Sequence, residues 1–389
     1  MLNCCINSKS YRDIVHAADQ LPVRCARKEN RRAPPSLVLV TGAFGLVGSE
    51  VVKQLTGAGH RVVATDLDVA ANRKAAAALG DAVEVRWADL TQPDDVTRLV
   101  SEVAPRAIVH LAAVIPPHCY ARRSLARAVN VEATTSLVRA AEAAPSPPKF
   151  LQASSIAVYG ARNPHRLDDV LSADTPLRPS DLYGAHKVEA EAVVRSSQLD
   201  WLILRLGGVL PVEPRLRVVN LETIYFEASL PADGRIQMVD VRDVARAFCA
   251  AVDVDASHDI LLIGGDASNR LRQGDIGGAM AGAVGLAEAI PPGRLGNPDS
   301  DTDWFATDWM DTTHSGSVLG FQHNSFSDSL AYTRSRARKT RWLLRVITPL
   351  VRGVLRRKSP YFGASGTYAD PWGVIRAKWG APEPDTATG

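Results

Sequence analysis

The sequence predicts an α/β protein: a doubly wound parallel sheet with a smaller C-terminal substrate-binding part. Two observations carry that expectation. Short apolar, β-branched runs alternate with stretches of helical period from Leu37 onward, and strands separated by helices pair in parallel through crossovers. The first run ends in a glycine turn, TGAFGLVG, which opens a helix and is followed by an acid at the close of the next run.

Residues 37–66, LVLVTGAFGLVGSEVVKQLTGAGHRVVATD, are expected to form strand, turn, helix and strand. Gly42, Gly45 and Gly48 follow a Gly-x-x-Gly-x-x-Gly spacing, a departure from the commoner Gly-x-Gly-x-x-Gly. Glycines there let backbone approach a pyrophosphate, and the unpaired N–H groups at the helix start favour an anion. A turn without a ligand is the plain alternative, but the strand before, the helix after and the acid about 20 residues on specify a dinucleotide site. That site takes in Gly42, Phe44, Gly45, Leu46, Val47 and Gly48. Asp66 ends the second strand, where a carboxylate accepts the ribose hydroxyls and repels a 2′-phosphate, so NAD is expected in preference to NADP. Arg73 and Lys74 are the cations that could greet such a phosphate, and a solvated helix face is their expected place.

The alternation continues through AVEVRWADL, RAIVHLAAV, a helix around VNVEATTSLVRAAEAA, KFLQASS, a helix in SDLYGAHKVEAEAVV and the strand DWLILRLGG. Together these make a Rossmann-type sheet, whose ligands bind at the carboxyl ends of the strands. Asp89 and Leu90 are expected to end the third strand, and Leu111, Ala112 and Ala113 to follow the fourth, with Asp89 in reach of adenine and the alanines leaving room for the cofactor. For Leu90 and Ala113 a turn residue is an equal reading.

Tyr183 and Lys187 form Tyr-x-x-x-Lys, with Ser155 upstream in KFLQASSIAVYG. A spacing of four puts phenol and ammonium on one helix face, where the cation is expected to pull the Tyr pKa down. A phenol so tuned is a usable general acid/base, and a hydroxyl from a strand end could hold the same substrate oxygen. The chemistry indicated is carbonyl/alcohol redox. Alone, the Tyr/Lys pair is commonly an ordinary helix-surface pair; here the dinucleotide motif accompanies it.

These residues resemble the extended short-chain dehydrogenase/reductases, the NAD-dependent epimerase/dehydratase family, over roughly Leu37 to Ser329. The resemblance rests on TGAFGLVG, Asp66, ADL, HLAA, VNVEAT, SSIAVYG, YGAHK, LRLGG and MVDVRDVARA, in the family's order. It implies that Ser155 is the catalytic hydroxyl, Tyr183 the acid/base, and Lys187 the residue that lowers its pKa and holds the nicotinamide ribose. Asn130 matches the asparagine of the proton relay. It also implies a homodimer formed through the helices bearing VNVEAT and YGAHK. Nucleotide-sugar members usually carry Asn where this chain has Gly208, and an Arg where it has Ile236, with Arg235 one residue away. Both departures remove diphosphate handles, so a dehydrogenase or reductase acting on a smaller, apolar alcohol or ketone is expected. The alternatives are a nucleotide-sugar epimerase or dehydratase that uses the same trio and keeps its cofactor, and a non-catalytic dinucleotide sensor or scaffold.

The expected organisation is an N-terminal extension over 1–36, a NAD-binding core over 37–206, a mostly substrate-binding part over 207–330 with 239–263 returning to the core, and a basic segment with a tail over 331–389. Pro116 and Pro117 are expected to stiffen a loop over the nicotinamide. His118 and Cys119 could line the substrate pocket, simple packing or solvation being the plainer reading, and Arg122 and Arg123 are expected on the surface. Trp304, Phe305 and Trp309 are expected mostly in the core of the smaller part. From Arg334 to Lys358 there are ten Lys or Arg and no acid, with Leu343, Val346, Ile347, Leu350, Val351 and Val354 at three- and four-residue intervals. Such a helix suits an anionic membrane surface or packing on its own domain or a partner, with Pro349 as a kink. From Ser359 the composition predicts an extended tail.

With 46% hydrophobic residues, net charge +3 and no long uncharged apolar run, a soluble protein is expected. Five cysteines without zinc spacing predict no metal and a reducing cytoplasm, and the first 36 residues lack the apolar stretch of a secretory signal. No nucleic-acid motif is present, and the expected partner is a small-molecule substrate.

Overall fold

The computed structural model describes residues 36–213 and 221–385. The expected N-terminal extension, with Cys4, Cys5 and Cys25, therefore falls outside the described residues apart from Ser36. The chain runs β1 (Leu37–Thr41), α1 (Leu46–Ala58), β2 (Arg61–Asp66), α2 (Ala70–Ala77), β3 (Glu84–Trp87), α3 (Pro93–Val103), β4 (Ala107–His110), α4 (His118–Ala121), α5 (Arg123–Arg127), α6 (Ala133–Glu142) and β5 (Lys149–Ser155). It continues with α7 (Leu182–Ser196), β6 (Trp201–Leu206), β7 (Gly208–Leu210), α8 (Leu221–Ser229), β8 (Arg235–Asp240), α9 (Val241–Asp253), β9 (Asp259–Ile263) and β10 (Arg270–Arg272). Helices α10 (Gln273–Val284), α11 (Thr313–Leu319), α12 (Phe326–Arg336), α13 (Arg341–Arg357) and α14 (Pro371–Trp379) complete it.

Seven strands form one parallel sheet in the order β3-β2-β1-β4-β5-β6-β9. Its strands are apolar almost throughout because helices cover both faces. Successive residues point to opposite sides, and the core divides accordingly. Val38 and Val40 join the cluster that holds Val51 and Leu55 of α1 and Phe248 of α9, whereas Leu39 joins the cluster of Leu99 of α3 and Leu137 of α6. In β6, Leu202 and Leu204 take the first side, Trp201 and Ile203 the second. A second sheet, β10-β8-β7, pairs β7 with β8 in parallel and β8 with β10 antiparallel.

The strand order reverses between β1 and β4, and at such a switch point a crevice opens at the carboxyl ends of the strands. β3 stops at Trp87 and β4 at His110, so Asp89, Leu90 and Leu111–Ala113 lie in the connections that follow.

The tail departs from expectation. Its Pro, Gly and Ala content predicts an extended segment, yet 371–379 is the helix α14, with Pro371 in its first turn and the Asp370 side chain accepting Gly373 N–H. Ile375 is fully buried and Trp379 nearly so. Two large apolar side chains are enough to dock a short helix that would be marginal alone. α13 continues through Pro349.

Candidate active site

The loop between β1 and α1 meets the fourth strand closely. Gly42 has φ +62°, and a Cβ there would stand 2.7 Å from Ala112 N; a Cβ on Gly48 would stand 2.1 Å from Gly42 O. Any side chain at either position would push α1 off the sheet. No side chain caps α1 at Gly45, so the N–H groups of its first turn remain for a ligand. Gly45 and Leu46 are exposed, while Phe44 packs 5.5 Å from Trp87. At the end of β2, Asp66 accepts Phe44 N–H at 3.3 Å and Leu67 N–H at 2.9 Å. Its carboxylate is thereby held at the loop with lone pairs to spare. Arg73 forks onto Asp68, with one contact at 2.7 Å, and that pairing occupies the cation that could have met a 2′-phosphate. A glycine cradle, an uncapped helix start and a held acid fit a dinucleotide with free ribose hydroxyls.

Asp89 accepts both the N–H and the hydroxyl of Thr91, at 3.0 and 2.7 Å, which is the ordinary work of a turn acid. Leu90 is buried in the core. Leu111 and Ala112 pack against opposite core clusters, and Ala113 is half-buried beside them.

Ser155 ends β5, and its Oγ accepts Ala157 N–H at 3.2 Å to start the short turn 156–159. That turn leads to α7, whose second residue is Tyr183. A Cβ on Gly184 would lie 2.4 Å from Ala157 O, so only glycine lets the helix sit down on the turn. The Ser155 hydroxyl is then close enough to stabilise a Tyr183 phenolate. Asp181 caps α7, taking Gly184 N–H at 3.0 Å and the Tyr120 hydroxyl at 2.6 Å. One turn further, Lys187 donates to Ala153 O at 2.9 Å and stands 5.7 Å from the centre of the Tyr183 ring.

The pKa balance differs from expectation. Burial, with Cys119 and Asp181 adding to it, pushes the Tyr183 phenol up, and the Ser155 contact offsets only part. Burial also drives Lys187 down to about 8, with Glu191 opposing. The ammonium's hydrogen bond goes to the Ala153 carbonyl, and burial outweighs the lowering of the phenol that spacing alone suggested. Below, Glu191 and Arg205 form a buried pair at 2.6 and 2.9 Å, with Ser154 donating to Glu191 at 2.5 Å and Arg205 to the Tyr159 hydroxyl at 2.6 Å.

Asn130 lies in a π-helical turn ahead of α6. Its amide takes both backbone groups of Val114, accepting N–H at 2.8 Å and donating to the carbonyl at 3.0 Å. This fixes the loop after β4. His110 bridges Thr41 at 2.7 Å and Thr134 at 3.0 Å, and full burial, with Lys187 nearby, drops it to about 3.

Tyr183 also borders an aromatic cluster. It packs against a cluster that contains Cys119, Tyr120, Phe226, Ile375 and Trp379, as do Tyr225, Phe305 and Trp372. Phe226 meets Phe305 at 5.5 Å and Trp379 at 5.9 Å, both edge-on. Cys119 thus lines the cluster while His118 is exposed. Arg122 is exposed, but Arg123 holds the segment 381–385, donating to Ala381 O at 2.6 Å and reaching Asp385 at 2.5 Å. Trp304 is core, and Trp309 stacks under Arg235. Sequence reasoning missed Asp181, Tyr120, Gly184, Glu191 and α14. Only Asp181 carried a local signal, an Asp placed to cap the helix of the Tyr/Lys pair.

Residues 38–210 match the sequence profile of the NAD dependent epimerase/dehydratase family. A 3-diazoavenalumate denitrifying reductase of Streptomyces sp is 33% identical over 238 residues, 57% of this chain and 73% of that protein. The chain belongs to the NAD-dependent epimerase/dehydratase family. Within this family of extended short-chain dehydrogenase/reductases, the UDP-glucose 4-epimerase of Mycolicibacterium smegmatis is 29% identical over 309 residues, 73% of this chain and 92% of that one. With some other relatives, a D-erythronate dehydrogenase among them, the chain spans about half of the relative's length. The crystal structure of Thermus thermophilus UDP-glucose 4-epimerase in complex with NAD shares the fold at TM-score 0.62 and 22% identity, covering 78% of this chain and 99% of that one.

Proposed function

We propose that this protein is an NAD-dependent oxidoreductase that interconverts a secondary alcohol and a ketone on a small, apolar, sterol-like substrate. The observation that carries the reading is the aromatic wall packed against Tyr183 by α8 and α14. Arginines elsewhere in the smaller part are largely taken up by protein groups. Arg235, one residue from the place of a diphosphate handle, donates to Asp169 O and Pro164 O and stacks 4.9 Å over Trp309. Arg162 pairs with Asp308 and Asp169, and Arg294 donates to Ala364 O and Ser365 O. At Gly208 a Cβ would stand 2.5 Å from Met238 Sδ, so an Asn there would require the Met238 side chain to shift.

Gly42, Phe44, Gly45, Leu46, Val47, Gly48 and Asp66 would hold NAD, together with Leu111, Ala112 and Ala113; bound NAD would supply the hydride acceptor or donor. Ser155 and Tyr183 grip the substrate oxygen. In reduction, the protonated phenol gives its proton to the carbonyl oxygen; in oxidation, the phenolate takes the hydroxyl proton. Lys187 holds positive charge beside the phenol while it is ionised, and the aromatic wall excludes water. Asn130 positions the covering loop through Val114.

The match to UDP-glucose 4-epimerase over 92% of that protein and 73% of this chain supports a second reading, transient oxidation of a nucleotide sugar with the cofactor retained. Net NADH formation with sterols and simple secondary alcohols, against conversion of nucleotide sugars without net NADH, separates the two. A sensor without turnover would be unaffected by Tyr183→Phe.

A further inference from the structure

α13 turns its apolar side outward. Trp342, Val346 and Leu350 recur every four residues and are 67, 71 and 71% exposed, with Leu343, Ile347 and Val354 beside them. On the inner side the buried residues are Thr348 and Leu355, and Thr348 donates to Gly285 O at 3.4 Å. An exposed apolar patch of this size on a helix marks a contact surface.

Cations surround the stripe. Residues 334–358 contain ten Lys or Arg and no Asp or Glu. Arg336 and Arg352 pair with Glu213 and Glu288, while Arg345, Arg356, Arg357 and Lys358 extend into solvent. At Arg341, burial and the like charges of Arg345 and Arg334 lower the pKa. At the C-terminal end of the helix, on its inner side, lies a cavity of about 330 Å³, walled by Ile224, Tyr225 and Leu355 and rimmed by Arg357, Lys358 and Lys378, with Glu222 beside them.

We propose that α13 docks this protein on the surface of an anionic lipid bilayer, the Trp342/Val346/Leu350 stripe entering the interface and the flanking arginines meeting lipid phosphates. An apolar face with a basic border has the composition of an interfacial helix. No helix among the described residues is long and apolar enough to span a membrane, so the contact is peripheral. Self-association through this face would bring the exposed cations Arg345, Arg356, Arg357 and Lys358 of two copies together, which disfavours a second copy as the occupant. The proposal is independent of the reaction, although Tyr225 both lines the cavity and packs in the cluster around Tyr183, which would suit a substrate drawn from lipid.

The test is co-sedimentation of the full chain with vesicles of phosphatidylcholine alone and of phosphatidylcholine with phosphatidylglycerol, at low and high salt. Two variants accompany it, Val346→Asp with Leu350→Asp, and Arg345→Gln with Arg356→Gln; all four side chains are exposed, and unchanged thermal unfolding verifies the fold. Binding to the anionic vesicles should be at least about tenfold tighter than to neutral ones, weaken with salt and fall in both variants. Equal binding to both vesicles, no binding to either, or a native dimer that the stripe variant disperses would each overturn it, the last by making the face a contact between copies.

Discussion

Gly184 lies so close to Ala157 that a Cβ would stand 2.4 Å from the Ala157 carbonyl oxygen. This contact, rather than helical spacing, brings α7 onto the turn after Ser155 and sets Tyr183 beside the serine. Gly184→Ala should therefore lift the helix and lower kcat by about 10²-fold, the scale of a 1 Å misplacement. NAD binding should be unchanged. Steady-state kinetics with an NAD titration checks both.

The Lys187 ammonium, lowered to about 8, is charged below that pH and neutral above it. If its charge supports the phenolate, kcat/KM should fall as pH rises through about 8. Lys187→Arg, charged throughout, should move that limb upward, and Lys187→Met should abolish it. Folding carries the opposite sign. The unfolded lysine keeps its proton to higher pH, so this group's contribution to stability improves from about pH 8 towards the ordinary lysine range.

Replacing Glu191 by Gln leaves Arg205, 1% exposed, without its counter-charge. Removing one member of a buried pair costs about 3–5 kcal/mol, and urea unfolding should show a loss of that order.

The parallel sheet, the glycine cradle and the Ser155/Tyr183/Lys187 set were legible because each has a short-range pattern: alternation of period, a glycine spacing, a one-turn interval. α14 was not. It is a nine-residue helix set in a Pro- and Gly-containing tail, and its burial depends on Phe226 and Tyr225, far away in sequence. The roles of Asn130 and Arg205 were equally hidden, since a polar residue's partner is a tertiary fact. Asn130 reaches Val114 and Arg205 reaches Glu191 only once the sheet is formed.

Ile375→Ala in α14 should cost about 2–5 kcal/mol as a buried truncation. Trp379→Ala should raise KM for an apolar substrate while leaving NAD affinity intact. A Trp379→Phe variant that restores KM would tie the effect to the aromatic wall.

Asp66→Asn should weaken NAD binding and reduce the preference over NADP, because the carboxylate proposed to accept the ribose hydroxyls is lost. Titration of both cofactors against the native protein reads the change directly.

The most direct measurement is NADH formation by the native protein and by Tyr183→Phe, with NAD and a panel of sterols and simple secondary alcohols. Stoichiometric NADH from an apolar alcohol, lost in the phenylalanine variant while NAD still binds, is the expected result. No net NADH from any alcohol, alongside native conversion of a nucleotide sugar that the variant also loses, would contradict it.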